Sequence, residues 1–192
     1  MACVLRCTQG IVTTNPARLV SVVVCLIVGL SAGTHAKTAN DAQLRPLEPS
    51  LIMVLDAGRH RSPTFRALMD RLEAGDVVVY LQYGQLPSGV HGRLSFLGAA
   101  AGRRYVVVEL ARDLDVPRLI AIVGHELQHA VEVVGQPEIV DRATFATAYE
   151  RSAFKRRHFA DGGIGFDTAA AVLAGRQVWR ELSGSAITLE TR

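Results

Sequence analysis

The stretch Leu119–Val134 (LIAIVGHELQHAVEVV) constrains this chain more than any other part of the sequence. Asp115 is a suitable helix cap, Pro117 fits a first helical turn, and Gly135 with Pro137 ends the run. Gly124 is its one internal breaker, and no charge falls between Leu119 and His125. Ile120, Ile122, Val123, Leu127, Val131 and Val134 make the helix largely apolar, so the rest of the chain must pack around it. It nevertheless carries His125, Glu126 and His129 close together. Burying such groups is costly unless something compensates them.

The spacing indicates what that compensation is. At about 100° per residue, positions four apart lie about 40° apart in azimuth and about 6 Å apart along the axis. Imidazoles at 125 and 129 can therefore grip one metal ion from one helix face. Glu126 points about 100° away from His125, where it reaches a metal-bound water rather than the metal. Zinc brings the pKa of such a water towards ~7, and a neighbouring carboxylate can take its proton as it attacks a carbonyl.

The helix resembles the active-site helix of the zincin metallopeptidases, in which HExxH is flanked by uncharged residues, as it is in Val123–Val131 (VGHELQHAV). The resemblance is specific over this helix and extends in element order over residues 60–182. It implies Zn2+ held by His125 and His129, Glu126 as general base, and a peptide or protein substrate paired with an edge strand, here Tyr105–Leu110. A metzincin-type third ligand is excluded, because position 135 is Gly where that pattern has His. A gluzincin-like site takes a Glu or Asp from a later helix, and Asp167 in GFDTAA is similar to that motif, with Asp in place of the commoner Glu.

Asp167 is equally readable as a helix N-cap. Its rival as ligand is Glu132, three residues beyond His129 and within about 20° of His125 in azimuth. Three ligands in line along one helix rarely converge on a tetrahedral ion, which favours for Glu132 a supporting role behind His129. Glu138 and Glu150 are more distant candidates. His158 reads as exposed beside Arg156 and Arg157, and Tyr149 as a packing residue with a secondary possibility of donating to an oxyanion. His60 and His91, in turn-like segments, receive no role. An inactive zincin-like domain kept as a metal-binding or scaffolding module is the alternative, although a scaffold has no need of Glu126. A closed structural zinc site usually takes four protein ligands, often Cys.

The remaining segments predict an α+β domain: a small mixed sheet, the long helix and C-terminal helices. Leu51–Leu55 reads as a first strand. Ser62-Pro63 opens a helix with Phe65, Leu68, Met69 and Leu72 on its apolar side, and Gly75 closes it. Residues 76–83, 93–97 and 105–110 read as strands, the last two flanking a small-residue loop from Gly98 to Arg103. One later helix carries Phe145, Ala148, Tyr149 and Ser152, with Lys155-Arg156-Arg157 as a solvated helix end. Another runs from Thr168 towards Leu182, with Val172, Val178 and Trp179 also on its apolar side. Asp161–Gly165 reads as a flexible connection.

The N-terminus reads as an export signal. Arg18 precedes the apolar run Leu19–Leu30, which is followed by small residues to Ala36, the expected cleavage site, with Gly33 as an alternative. The run is shorter than the roughly 20 residues of a spanning helix, so contact with a membrane is expected only if this segment stays uncleaved. Residues 1–36 are thus expected to direct the protein to the periplasm or the extracellular space. Residues 37–50, with Pro46 and Pro49, read as a linker, and 51–192 as the domain. Cys3, Cys7 and Cys25 all lie in the export segment, which excludes a disulfide framework and thiol catalysis from the remainder. The net charge of +3 falls to +1 beyond Ala36, because Arg6 and Arg18 lie before it. With no basic stripe interleaved with aromatics, nucleic acid is not an expected partner.

Overall fold

The structure, a computed structural model, describes residues 42–152, 155–158 and 164–187. Its element order is β1 (Leu44–Pro46), α1 (Pro49–Arg61), α2 (Pro63–Glu73), β2 (Val77–Tyr83), β3 (Gly92–Ala100), β4 (Arg103–Leu110), α3 (Val116–Val134), α4 (Arg142–Ser152), β5 (Lys155–His158), β6 (Ile164–Asp167) and α5 (Ala169–Ile187). The architecture is α+β. A four-stranded mixed sheet has the order β1-β2-β4-β3, with β1, β2 and β4 parallel and β3 antiparallel to β4. Strands β5 and β6 form a separate antiparallel pair. The expected export segment, residues 1–36, lies outside the described residues, and no helix among those described is long and apolar enough to cross a membrane.

The first segments differ from the sequence expectation. Residues 44–46, assigned above to a linker, add a short edge strand whose Leu44 is opposite Val79. Leu51–Leu55 is not a strand but part of α1. Leu51, Val54, Leu55 and Gly58 are buried at helical spacing, while Ile52 and Met53 face outward. A continuous apolar run fits either period, and here the positions beyond it decide. His60 accordingly sits in the last turn of α1 rather than in a turn.

Helix α2 begins as its sequence dictates. The Ser62 side chain accepts the Phe65 N–H at 3.0 Å, and Phe65, Leu68, Met69 and Leu72 are buried. The Ser62 hydroxyl also donates to Glu181 of α5, joining the two helices. The expected loop from Gly98 to Arg103 contracts to a two-residue turn, Ala101-Gly102, with φ values of 49° and 72°. Two positive φ angles match the natural twist of a hairpin.

Helix α3 crosses behind the sheet. Leu119, Ile120, Val123, Leu127 and Val131 are buried along it, and burying each such side chain stabilises by about 1.5–3 kcal/mol. Asp115 caps it by accepting the Arg118 N–H at 2.8 Å. Its far end is held by Arg104, a buried residue on the inward side of β4. One Arg104 guanidinium nitrogen donates to the carbonyls of Val133 and Gln136, both at 2.6 Å, while the group also pairs with Asp76. The Arg104 bond holds the Asp76 carboxyl below its ordinary pKa, against the effect of its partial burial. Sheet and helix are thus fixed at a common level.

The C-terminal elements bring α5 against α3. Gly124 is less a breaker than a contact point, since a Cβ there would stand 2.9 Å from Val178 Cγ2. Gly175 lets α5 approach the base of His125, where an added Cβ would be 3.1 Å from the His125 Cβ. Ala171, Ala174, Val178 and Leu182 are buried, whereas Trp179 is 43% exposed, contrary to the expected apolar side. Residues 155–157 form a strand rather than a helix end. Ile164 and Gly165 belong to β6, so only positions 161–163 of the expected connection remain outside the described residues.

Candidate metal centre

Three side chains from two elements converge at the exposed end of this core. His125 and His129 come from consecutive turns of α3, and Asp167 ends β6 just before α5. Asp167 Oδ1 lies 3.4 Å from His125 Nε2 and 3.8 Å from His129 Nε2. One ligand atom from each residue lies within 4.8 Å of the others, the only such group among the described residues. Ligands about 2.0–2.2 Å from a tetrahedral ion stand about 3.3–3.6 Å from one another, close to these separations. Asp167 Oδ1 is also buried and accepts no hydrogen bond. An oxygen shielded from water and left without a proton donor is costly, and a cation between it and the two imidazoles satisfies it. The donor set of two nitrogens and one carboxylate oxygen suits zinc at an open, three-ligand site. The residues fit the ion.

Asp167 is not the helix cap. That role belongs to Thr168, whose Oγ1 accepts the Ala171 N–H at 3.1 Å. Glu132 stands behind the site rather than in it. Its Oε2 is 3.0 Å from His129 Nδ1 and accepts the Tyr149 hydroxyl at 3.2 Å, while its Oε1 accepts the Thr168 hydroxyl at 2.7 Å. With Nδ1 donating to Glu132, His129 presents Nε2 to Asp167 and His125. Burial lowers the His129 pKa, but the Glu132 hydrogen bond and the nearby carboxylates outweigh it and raise the pKa overall. Burial and the neighbouring His129 charge lower that of His125. For Glu132, the bonds from His129 and Thr168 overcome burial and hold the carboxyl below its usual range.

Glu126 faces β3. It is only 5% exposed, and burial, reinforced by Asp167, lifts its pKa to about 7 despite a backbone hydrogen bond from Leu94 and the His129 charge. Gly92 makes this proximity possible: a Cβ there would lie 2.6 Å from Glu126 Oε1 and 2.7 Å from Ile122 Cγ2. Gly92→Ala should therefore displace either β3 or the Glu126 carboxylate. Either shift relieves the burial that raises the Glu126 pKa, so in metal-free protein followed by NMR this carboxyl should titrate at lower pH in Gly92→Ala than in wild type; an unchanged titration would show that Gly92 does not set its position.

A cleft of about 710 Å3 opens in front of His125, His129 and Asp167, lined by β3, α3, α4 and β6. The edge strand along it is β3, not the expected Tyr105–Leu110, because β4 lies between β2 and β3. The edge could not be assigned from order along the chain, since the hairpin folds β3 outward. The His91 carbonyl accepts from Ala111, and in the antiparallel register this turns the peptide groups of Gly92 and Leu94 to the open side. Phe96, Phe145 and Tyr149 form an aromatic wall, Phe96 stacked on Phe145 with centroids 5.8 Å apart and Tyr149 tilted against Phe145 at 4.7 Å. The single proton of the Tyr149 hydroxyl is shared between the His129 carbonyl at 3.0 Å and Glu132 Oε2 at 3.2 Å, so this group supports the residues behind the site rather than facing the cleft. His91, given no role by its sequence context, lines the cleft. Glu138 and Glu150 are exposed and outside the ligand group, and the side chain of His158 lies outside the described residues.

Comparison with protein-family models, with curated proteins and with solved structures finds no match to this chain in any of the three.

Proposed function

We propose that the protein is an exported zinc-dependent peptidase with a zincin-like site, acting in the periplasm or outside the cell on peptides or proteins. The observation that carries this reading is the buried, unpartnered Asp167 oxygen directed at both imidazoles, with the Glu126 carboxylate on the same helix beside them. His125, His129 and Asp167 would hold the ion. Bound zinc supplies Lewis acidity, which polarises the scissile carbonyl and brings the pKa of water towards ~7.

The chain's own groups provide the rest. Glu126, buried on the same helix beside the two imidazoles, is placed to take a proton from the attacking water and return it to the departing amine. Glu132 keeps the proton of His129 on Nδ1 and so keeps Nε2 available. The open edge of β3 offers the Gly92 peptide group and the Leu94 carbonyl to an extended substrate, the way a peptide adds a strand to a sheet, while the Leu94 N–H is taken by Glu126. The wall of Phe96 and Phe145 faces a substrate side chain and favours a large apolar one.

The test is metal analysis joined to a peptidase assay. Protein purified from the full chain should carry about one zinc per chain and cleave quenched fluorescent peptides with apolar residues at the cleavage point. A chelator should stop the reaction and added zinc restore it. Hydrolysis by a metal-free preparation would sink the proposal.

A further inference from the structure

We infer that Thr168 is a positioning residue that locks the third ligand to the second, an inference that rests on the metal reading above. Its single hydroxyl proton goes to Glu132 Oε1 at 2.7 Å, and its lone pair takes the Ala171 N–H at the start of α5. The other Glu132 oxygen is held by His129 Nδ1 and by the Tyr149 hydroxyl. Asp167 is joined to Thr168 by one peptide bond. The connections close a ring: Asp167 to Thr168 along the backbone, Thr168 to Glu132, Glu132 to His129, and His129 back across the ligand atoms to Asp167. Thr168 is 6% exposed, so water does not readily replace its bond to Glu132.

The ring matters because the two sides of the site belong to different elements. His125 and His129 are placed by α3 alone, whereas Asp167 ends a two-stranded ribbon and reaches the site only if the start of α5 is fixed against α3. The glycine contacts at 124 and 175 set how near the helices lie, and both are apolar or steric. The Thr168–Glu132 bond is directional and lies beside the ligand itself. It fixes where along α3 the Asp167 carboxylate stands.

The experiment compares wild type, Thr168→Val and Thr168→Ser, each as the full chain. The readouts are zinc affinity by competition with a chromophoric chelator and the visible absorption of the cobalt(II)-substituted protein. Val keeps the shape and removes the hydroxyl. Zinc affinity should fall ~10–100-fold, the usual effect of losing a partner that orients a ligand, and the cobalt spectrum should change shape. Ser should restore both to within a few-fold of wild type. In a Glu132→Leu background, which offers the Thr168 hydroxyl no partner, the effect of Thr168→Val should largely disappear, because Thr168 acts through Glu132.

Val also removes the α5 cap. Thr168→Asp, which supplies a cap oxygen but no proton, separates the two roles and should lose metal while keeping the helix. A Val or Asp variant with wild-type zinc affinity and cobalt spectrum overturns the inference. A wild-type protein that binds neither zinc nor cobalt overturns the metal reading itself, and this inference with it.

Discussion

On the proposed peptidase reading, Glu126→Gln is expected to lower peptide hydrolysis sharply while leaving zinc content at the wild-type level. The substitution preserves the size of the side chain and removes the one carboxylate that faces the cleft without belonging to the ligand group. General-base assistance is worth about 10²–10⁴ in rate, so kcat should drop by that range with little change in KM. The substitution also has a consequence for the metal-free chain. Burial raises the carboxyl of Glu126 from its usual 4.5 to about 7. A carboxyl raised in the folded state costs stability once it must ionise. That cost is absent well below pH 4.5, grows as the pH rises, and is fully present above pH 7. Metal-free Glu126→Gln should therefore melt at a higher temperature than metal-free wild type at pH 8, and the difference should close towards pH 4. Wild-type turnover by the Gln protein would remove Glu126 from the chemistry. A pH-independent difference in melting would show that its carboxylate is not confined as described.

The centre of this molecule was readable in the sequence because it is local. A cap at Asp115, a Pro in the first turn and His125, Glu126 and His129 at fixed helical spacing all lie within one element, whose periodicity places them without reference to the rest of the chain. The helix at Pro63–Glu73 was legible for the same reason. What failed was non-local. Leu51–Leu55 is apolar enough for either period, and only its packing partners make it a helix. The choice of β3 over β4 as the edge depends on strand order, which the succession of strands does not encode. Arg104 gave no signal beyond its place at an alternating inward position of a strand, yet it fixes the end of α3. Asp167 lay between two readings that spacing could not separate. The structure divides them between neighbours: Thr168 takes the cap, and Asp167 is freed to face the imidazoles.

That division gives the sharpest discrimination between the two carboxylates. Asp167→Asn should weaken zinc binding more than Glu132→Gln does. Asp167 Oδ1 stands 3.4 and 3.8 Å from the two imidazole nitrogens and has no other partner, so an amide there removes both the charge and a strong donor. Both oxygens of Glu132 are committed to His129, Tyr149 and Thr168, and Glu132 is not one of the three groups whose ligand atoms converge. Its loss acts on zinc indirectly, by loosening His129 and by removing the anchor that Thr168 holds beside Asp167, an effect of about 10–100-fold. The Asn variant should exceed that loss and come off purification largely without metal. The pair also differs in pH behaviour. With Glu132 removed, the partner that does most to raise the His129 pKa is gone, so His129 should lose its proton at lower pH in the metal-free chain. Asp167→Asn should move it less, because Asp167 contributes to His129 only after Glu132 and Glu126. Zinc affinity by chelator competition, and the His129 titration followed by NMR in metal-free protein, measure the two effects separately. If Glu132→Gln emptied the site and Asp167→Asn kept it, the ligand would be on α3 and the contact between β6 and the imidazoles would have no part in binding the ion.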